Sequence, residues 1–596
     1  VTRYRFAAAL AFGMSLAAPV AAETAFQLEA SGADKALTSA LEAASLTRSA
    51  ATSSESNAQD VFASARADYA RLVGALYDAG YYGGRVSIRI DGREAAQIAP
   101  MDAPAQISAV TIHVEPGPVF RFSKAAIAPV TEKTELPEGY RVPEVASSSV
   151  IVDAAQAGVS GWRDFGHAKA RVSDQSIVAD HRANTIAADI TLAPGPLTTF
   201  GQMQAQGQKR LRAKRLYAIA GFPSGKRFSP EELETVRNRL RRTGIFSSVT
   251  LTEADTLRDG NLLDADLTVV EAKPRRIGVG AELSSTDGAT LSGYWLHRNL
   301  FGGGERLRFD AKVSGIGGST GGADYSLAAR IDRPATFTPD TAAYLTTELS
   351  KSDEEDYTQR GFGLGFGLSH IFNPRLTGEA GIGYEWSQIT DATGRTIYRA
   401  VTLPLALTWD NRDNSSDATK GYYGRLDLMP FYGLSNTGSG ARLAGDFRAY
   451  RAFGERVVLA GRAQLGGVFG SDLAETPRDY LFYSGGGGTV RGQPYQSLGV
   501  SVLDGGTLKT GGDRFLGFSG EVRVGVTKSI GVVAFYDAGF VGAGGFSDTE
   551  GDWQSGAGLG LRYKTPIGPI RLDVAAPVSG DTGDGPQIYL GIGQTF

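Results

Sequence analysis

The chain of 596 residues contains no cysteine, which excludes a disulfide framework, an acylated cysteine and a thiolate zinc site together. Its stability must come from strand pairing and packing. Histidine is scarce as well: His113, His167, His181, His297 and His370 are scattered, with no His-x-x-x-His pairing of the metal-binding kind. Beyond residue 22 there is no run of about eighteen apolar residues, so helical membrane spans are not expected. Neither sign of charge dominates. The 60 basic and 64 acidic side chains leave a net charge of −4, no electrostatic footprint for nucleic acid.

Glycine is what the chain has in excess, 78 residues, nearly twice its usual share. With 21% charged and 42% hydrophobic residues, neither disorder nor a bundle of hydrophobic helices fits, and the glycines point to β structure. At the start, Arg3 and Arg5 precede an apolar run from Phe6 to Val20 and the small pair Ala21-Ala22. Residues 1–22 are expected to be a removable secretion signal.

The first half repeats itself. Val110-Thr-Ile-His-Val-Glu-Pro-Gly-Pro-Val-Phe-Arg-Phe122 superposes on Ala188-Asp-Ile-Thr-Leu-Ala-Pro-Gly-Pro-Leu-Thr-Thr-Phe200, and Ala188–Leu192 recurs as Ala265-Asp-Leu-Thr-Val269. Three modules in series are expected, each ending in an alternating strand and a Pro/Gly breaker. Inside them helices stop at glycine, as at Gly80 and Gly244, before a strand. Ser229-Pro230-Glu231-Glu232 carries a cap residue, a first-turn proline and acids at the positive dipole end, which predicts a helix over about 230–243. Each module reads β-α-α-β-β.

After Pro274 the helical period disappears. Short alternating stretches run to the end, among them Arg306–Val313, Tyr344–Leu349, Gly361–Leu368 and Gly378–Trp386. In Gly361–Leu368 every other residue is Phe or Leu and every other is Gly, one face for lipid and one left open. The final stretch places Ile588, Leu590, Ile592 and Phe596 on one face and stops on an aromatic residue. At about twenty residues per membrane strand and turn, residues 273–596 make roughly sixteen strands, an even number that lets a wall close and leave no edge in hydrocarbon.

One loop stands out. Ser484–Gly499 is glycine-rich with a single arginine, and it lacks the Gly-Lys-Ser/Thr ending and following helix of a phosphate cradle, so no nucleotide or other cofactor is expected. Glu521 faces the lumen if Val522, Val524 and Val526 face lipid. Asp537 faces it if Tyr536, Ala538 and Phe540 face lipid. A three-residue turn at Lys528-Ser529-Ile530 would set the two carboxylates opposite each other, unfavourable unless a cation sits between them. Arg491 is the expected cation, because its planar fork engages carboxylates bidentately.

With these residues the chain resembles the Omp85 superfamily. Further support comes from Arg298-Asn299-Leu300-Phe301-Gly302, from Phe535-Tyr536-Asp537-Ala538-Gly539 and from the stretch Gly560–Asp573. The likeness runs from about residue 24 to the end. It implies a transmembrane antiparallel β-barrel at 273–596 preceded by three α+β POTRA repeats at 23–116, 117–194 and 195–272. It also implies a sixth loop whose Val490, Arg491 and Gly492 lock onto the barrel-wall acids Glu521 and Asp537. Three repeats with this barrel look most like the outer-membrane subunit of the translocation and assembly module; the central assembly-machine subunit has more repeats, and two-partner secretion transporters have fewer and a plug helix. The family usually places an aromatic residue straight after Val-Arg-Gly. Here Gln493 stands there, and Tyr495 is the candidate substitute.

The resemblance implies an insertion and assembly factor for β-barrel or autotransporter-type clients, working without ATP. Its partners would be the outer-membrane bilayer, unfolded outer-membrane protein clients and a periplasm-spanning protein of the TamB type. Clients would add to the module edges and to a lateral seam between the first barrel strand, with Ile277, Val279 and Ala281, and the last, with Ile588, Leu590, Ile592 and Phe596. Gly591 and Gly593 lower strand propensity there. A two-partner secretion exporter and a porin-like channel are the alternatives. No catalysis is expected: Gly317-Gly318-Ser319-Thr320-Gly321 matches a nucleophile elbow but lies between two strands, not at a strand-to-helix turn. Trp295, Trp386, Trp409 and Trp553 suit an interfacial girdle about as well as core packing.

Overall fold

The computed structural model describes residues 24–596 apart from 54–55, 286, 319–320, 355, 502–508, 548–549, 566–567, 582–584 and 593–596. The expected signal at 1–22, the Ser319-Thr320 pair, and Gly593 and Phe596 at the seam lie outside the described residues.

The first module has strands Ala25–Ala30, Arg85–Ile90, Arg93–Glu94 and Ala109–Glu115 and helices Lys35–Ala44, Leu46–Ala51 and Ala58–Asp78. The long helix starts on a capping box: Asn57 Oδ1 accepts from the Asp60 N–H at 3.1 Å, and the Asp60 carboxylate accepts from the Asn57 N–H at 3.0 Å. It buries Val61, Phe62, Ala65, Leu72 and Leu76, one face at helical spacing, against Ile88, Val110 and Ile112 of the sheet.

The third module follows the expected order, with Thr199–Gln206, helices Ala213–Ala220 and Pro230–Arg242, then Phe246–Glu253 and Leu262–Glu271. The second departs from it. Its described residues hold one helix, Ser148–Asp164, between Arg121–Ala128 and the strands Arg171–Asp180 and Thr185–Ala193. The span where a first helix was expected contains Pro129, Pro137 and Pro143, each without an N–H to donate, and it runs as turns. In this sheet Thr185–Ala193 is central, which leaves Arg171–Asp180 as an edge with Ile177 and Val178 exposed.

From Arg275 onward the chain is a closed antiparallel barrel. Of its seventeen strand segments, Gly394–Thr402 and Leu405–Asp410 both pair with the same neighbours on each side, so they are one crossing interrupted at Leu403-Pro404. The wall therefore has sixteen crossings. Proline explains the break, since Pro404 has no donor for the ladder. In the sixth strand, Tyr357–Asn373, Leu364 and Phe366 are exposed on the outside. The alternating glycines make room inside: a Cβ on Gly367 would lie 2.6 Å from Tyr344 Cζ.

The first strand, Arg275–Ser284, pairs with the second along its whole length, from Arg275–His297 to Ser284–Gly288. With the last, Gln587–Ile592, it shares, among the described residues, only the pairs Leu283–Leu590 and Ser284–Tyr589. The Ser285 N–H donates to Ile588 O at 3.0 Å, and an Arg571–Glu282 ion pair reaches across the join.

Candidate functional site

The eleventh strand ends at Phe469 and the twelfth begins at Arg514, and the described tip of the long loop between them packs against the wall. Its tip is stitched locally, with the Gly486 N–H donating to Gln493 O at 2.8 Å and the Gly485 N–H to the Thr489 hydroxyl at 2.8 Å. Val490 is fully buried. Gly492 has φ +94, and a Cβ there would lie 2.7 Å from the Ala576 carbonyl carbon, so the close approach to the fifteenth strand requires glycine. Gly492→Ala is expected to combine about 1–3 kcal/mol of backbone strain with that collision and expel the tip. Limited proteolysis of the loop checks this: the variant should be cut where the wild type resists.

Arg491 is 1% exposed, the largest of the fully buried side chains. Its Nε and Nη2 donate to the two oxygens of Asp537 at 2.7 and 3.0 Å, and its backbone N–H adds a third bond to Asp537 at 3.1 Å. Nη1 donates to Glu521 at 2.8 Å and to Asp573 at 3.4 Å. The guanidinium lies 3.5 Å from the ring centroid of Phe535. Arg523 pairs with Glu521 and Arg562 with Asp573, so three arginines balance three carboxylates. Such balance is what makes burial tolerable, since an unpaired charge here would cost several kcal/mol.

The carboxylates are arranged differently from the expectation. The three-residue turn lies one position earlier, at Thr527-Lys528-Ser529, closed by the Val526 N–H donating to Ile530 O at 2.9 Å. Moving a turn by one residue shifts the ladder by two. Glu521 therefore stands opposite Phe535, and Asp537 opposite Ser519. The two acids are diagonal neighbours with the aromatic ring between them. Phe540 keeps the outward phase but does not face lipid: it is fully buried, 5.3 Å from Trp553 and 6.2 Å from Phe546 between ring centroids.

Sequence reasoning missed Asp573, although its signal was present: Leu572 and Val574 are exposed on the outside, which puts Asp573 inside by alternation. It also missed Tyr589, whose hydroxyl accepts from the Gly492 N–H at 3.1 Å and donates to Gln587 at 2.6 Å. Tyr589 is a seam residue, so the loop tip bonds directly to the strand that closes the barrel. Gln493 fills the position after Val-Arg-Gly itself. It is fully buried and donates to Ser555 O and Ser579 O, both at 3.0 Å. Tyr495 does not take that place; it is 39% exposed.

Of the predicted seam residues, Ile277, Val279 and Ala281 are exposed, and none pairs with a described residue of the last strand. Ile588, Leu590 and Ile592 all face outward, and only Leu590 is in the ladder with the first strand. Among the described residues no group of three or more His, Cys, Asp or Glu is placed to hold a metal ion.

At the end of the barrel where the modules enter, Arg239 engages Asp340 bidentately at 3.0 and 2.6 Å, and Arg242 reaches the same carboxylate at 2.7 Å. The Arg212 N–H donates to Gly302 O at 2.9 Å, and Arg215 to Gly303 O at 3.1 Å. The helices of the third module thus grip two barrel turns. Burial pushes the Asp340 carboxyl up, but Arg239 and Arg242 outweigh it and hold the group below the usual carboxylate range. Its contribution is therefore present above pH of about 4 and is lost as pH falls through the lowered value. Acidification from pH 7 to 5 should leave the grip intact. Asp340→Asn should weaken it by about 1.5–3 kcal/mol at neutral pH, read as faster proteolysis between residues 203 and 272.

Residues 299–596 match the Omp85 superfamily domain, and residues 198–271 match POTRA, a surface antigen variable number repeat. Among solved structures, BamA from Haemophilus ducreyi lacking POTRA domains 1–3 is similar with a TM-score of 0.60 at 16% identity, over 79% of this chain and 100% of that one. CdiB from Acinetobacter baumannii is similar with a TM-score of 0.52 at 11% identity, over 80% and 90%. At these identities the likeness is one of fold.

Proposed function

This chain belongs to the Omp85 superfamily of outer-membrane β-barrels with POTRA modules, and from that premise we propose that it inserts and assembles β-barrel or autotransporter-type clients through its lateral seam. The N-terminal modules lie in the periplasm in this reading, and the protein is a TamA-like subunit that receives clients with a periplasm-spanning partner of the TamB type. It works without a catalytic residue or a cofactor. The exchange is one of hydrogen bonds.

The observation that carries the proposal is that the described residues of the first and last strands share a ladder of two pairs. Opening Leu283–Leu590 and Ser284–Tyr589 breaks a few hydrogen bonds, at a net cost of about 0.5–1.5 kcal/mol each. Separating the first strand from the second would mean unzipping ten residues. An incoming strand satisfies the edge of the first strand that opening the seam exposes, along which the side chains of Ile277 and Val279 face outward. The exposed edge Arg171–Asp180 offers a second place for main-chain pairing, tolerant of client sequence.

Depletion of the protein followed by quantitation of the outer-membrane proteome tests this reading. Loss of a set of barrel or autotransporter proteins is expected. Loss of one secreted protein, with the barrel proteins intact, would favour the exporter; an unchanged proteome with altered solute uptake would favour a channel.

A further inference from the structure

Most outward positions of the barrel carry Leu, Val, Phe or Tyr, but across the tenth to twelfth strands three adjoining ones are small. Ala449 of Gly440–Phe453 pairs with Gly461 of Val457–Phe469, which pairs with Gly520 of Arg514–Gly525. Tyr422 and Tyr536 close this row as the partners of Ala449 and Gly520. In the next row Phe447 and Phe518 flank Ala463. The result is an apolar trough of 820 Å³ with a floor of glycine and alanine between aromatic walls. The floor is open: a Cβ built on Gly461 or Gly520 meets nothing within 4 Å.

The rim on the module side is cationic. Arg451 is the next outward position after Ala449, exposed, with its guanidinium 5.3 Å from the centroid of the Phe453 ring. Lys420, also exposed, immediately precedes Gly421, the register partner of Tyr450, which places it at the same rim. Neither makes an ion pair among the described residues. Arg456 and Glu455 of the following turn add one charge of each sign, and the Asp413 carboxylate accepts from the Lys420 N–H at 3.1 Å, so the rim keeps an excess of one cation.

We infer that this trough is a phospholipid site, with one acyl chain lying over Gly461 and Gly520 and the headgroup phosphate held between Arg451 and Lys420. An apolar groove on the bilayer-facing wall suits a chain, and a cationic rim at the headgroup level suits a phosphate. The net positive rim selects an anionic lipid over a zwitterionic one of the same chain length. The site lies away from the seam, on the twelfth strand and its neighbours, so an ordered lipid would hold this part of the wall while the seam opens.

The full chain, purified in detergent, is titrated with phosphatidylglycerol and with phosphatidylcholine of identical chains, and retained lipid is counted by native mass spectrometry. Phosphatidylglycerol is expected to bind about fivefold more tightly, the gain for one net cation at the rim. Lys420→Gln with Arg451→Gln should bring it down to the phosphatidylcholine level. Gly461→Leu with Gly520→Leu fills the floor and should lower retention of both lipids about tenfold or more, with heat-modifiability reporting that the barrel is folded. Equal binding of the two lipids by the wild type, or a preference that survives the double glutamine variant, overturns the site. That glutamine variant decides the matter alone if the leucine variant does not fold. None of these outcomes depends on whether the protein assembles clients.

Discussion

Replacing Arg491 with alanine will free the loop from the barrel wall and lower the stability of the barrel by about 3–5 kcal/mol, the usual cost of breaking a buried ion pair by deleting one partner. The reason is what remains. Glu521, Asp537 and Asp573 are each 3% exposed or less and would share two arginines in place of three. Asp537 loses both fork bonds, and the ring of Phe535 loses its cation. Arg491→Lys should recover only part of the loss, because an ammonium carries the charge but cannot span both oxygens of Asp537 while reaching Glu521. Heat-modifiability in detergent and protease resistance of residues 484–499 are the measurements. A variant with both unchanged would show that the network is not what holds the loop.

A disulfide between Leu283→Cys and Leu590→Cys will form in the folded barrel and abolish client assembly until it is reduced. These two residues are register partners, and paired strands hold Cα atoms at about 4.5–5.5 Å, within disulfide range. Ala281→Cys with Ile592→Cys lies just beyond the paired residues and should crosslink poorly, and Val279→Cys with Ile592→Cys should not crosslink at all. Since the protein has no cysteine of its own, the oxidised species is unambiguous. In the proposed mechanism the bond covers the edge that an incoming strand uses, so the expected effect is near-complete loss, with recovery on reduction excluding misfolding. Undiminished assembly with a fully oxidised seam would move the active element to the modules or to the bilayer around the barrel.

Much of this site was readable from alternation alone. One exposed and one hidden residue in turn placed Glu521 and Asp537 inside, and the same rule applied one hairpin further would have placed Asp573 beside them. Sixteen crossings followed from length, and the closed wall from the absence of any other way to hide strand edges in lipid. What alternation cannot supply is register. The turn at Thr527-Lys528-Ser529 differs from the expected one by a single residue, which is enough to replace an acid facing an acid with an acid facing Phe535. Nor does it report what a loop covers: Phe540 points outward in phase with Tyr536, yet Phe546 and Trp553 close over it. The extent of the seam is hidden for a related reason, because it is set by how two strands at opposite ends of the barrel sequence meet. Gln493 shows the limit of a family pattern. Its amide stitches two wall strands where an aromatic ring was the expected occupant.

Reconstitution tests the central claim most directly: purified protein carrying Leu283→Cys and Leu590→Cys is placed in liposomes, an unfolded β-barrel client is added without ATP, and the folded, protease-resistant client is followed over time. The account predicts that reduced proteoliposomes fold the client well above the rate of empty liposomes and that oxidised ones fall back to that rate. Equal folding by the oxidised and reduced protein, or no acceleration by either, would contradict it.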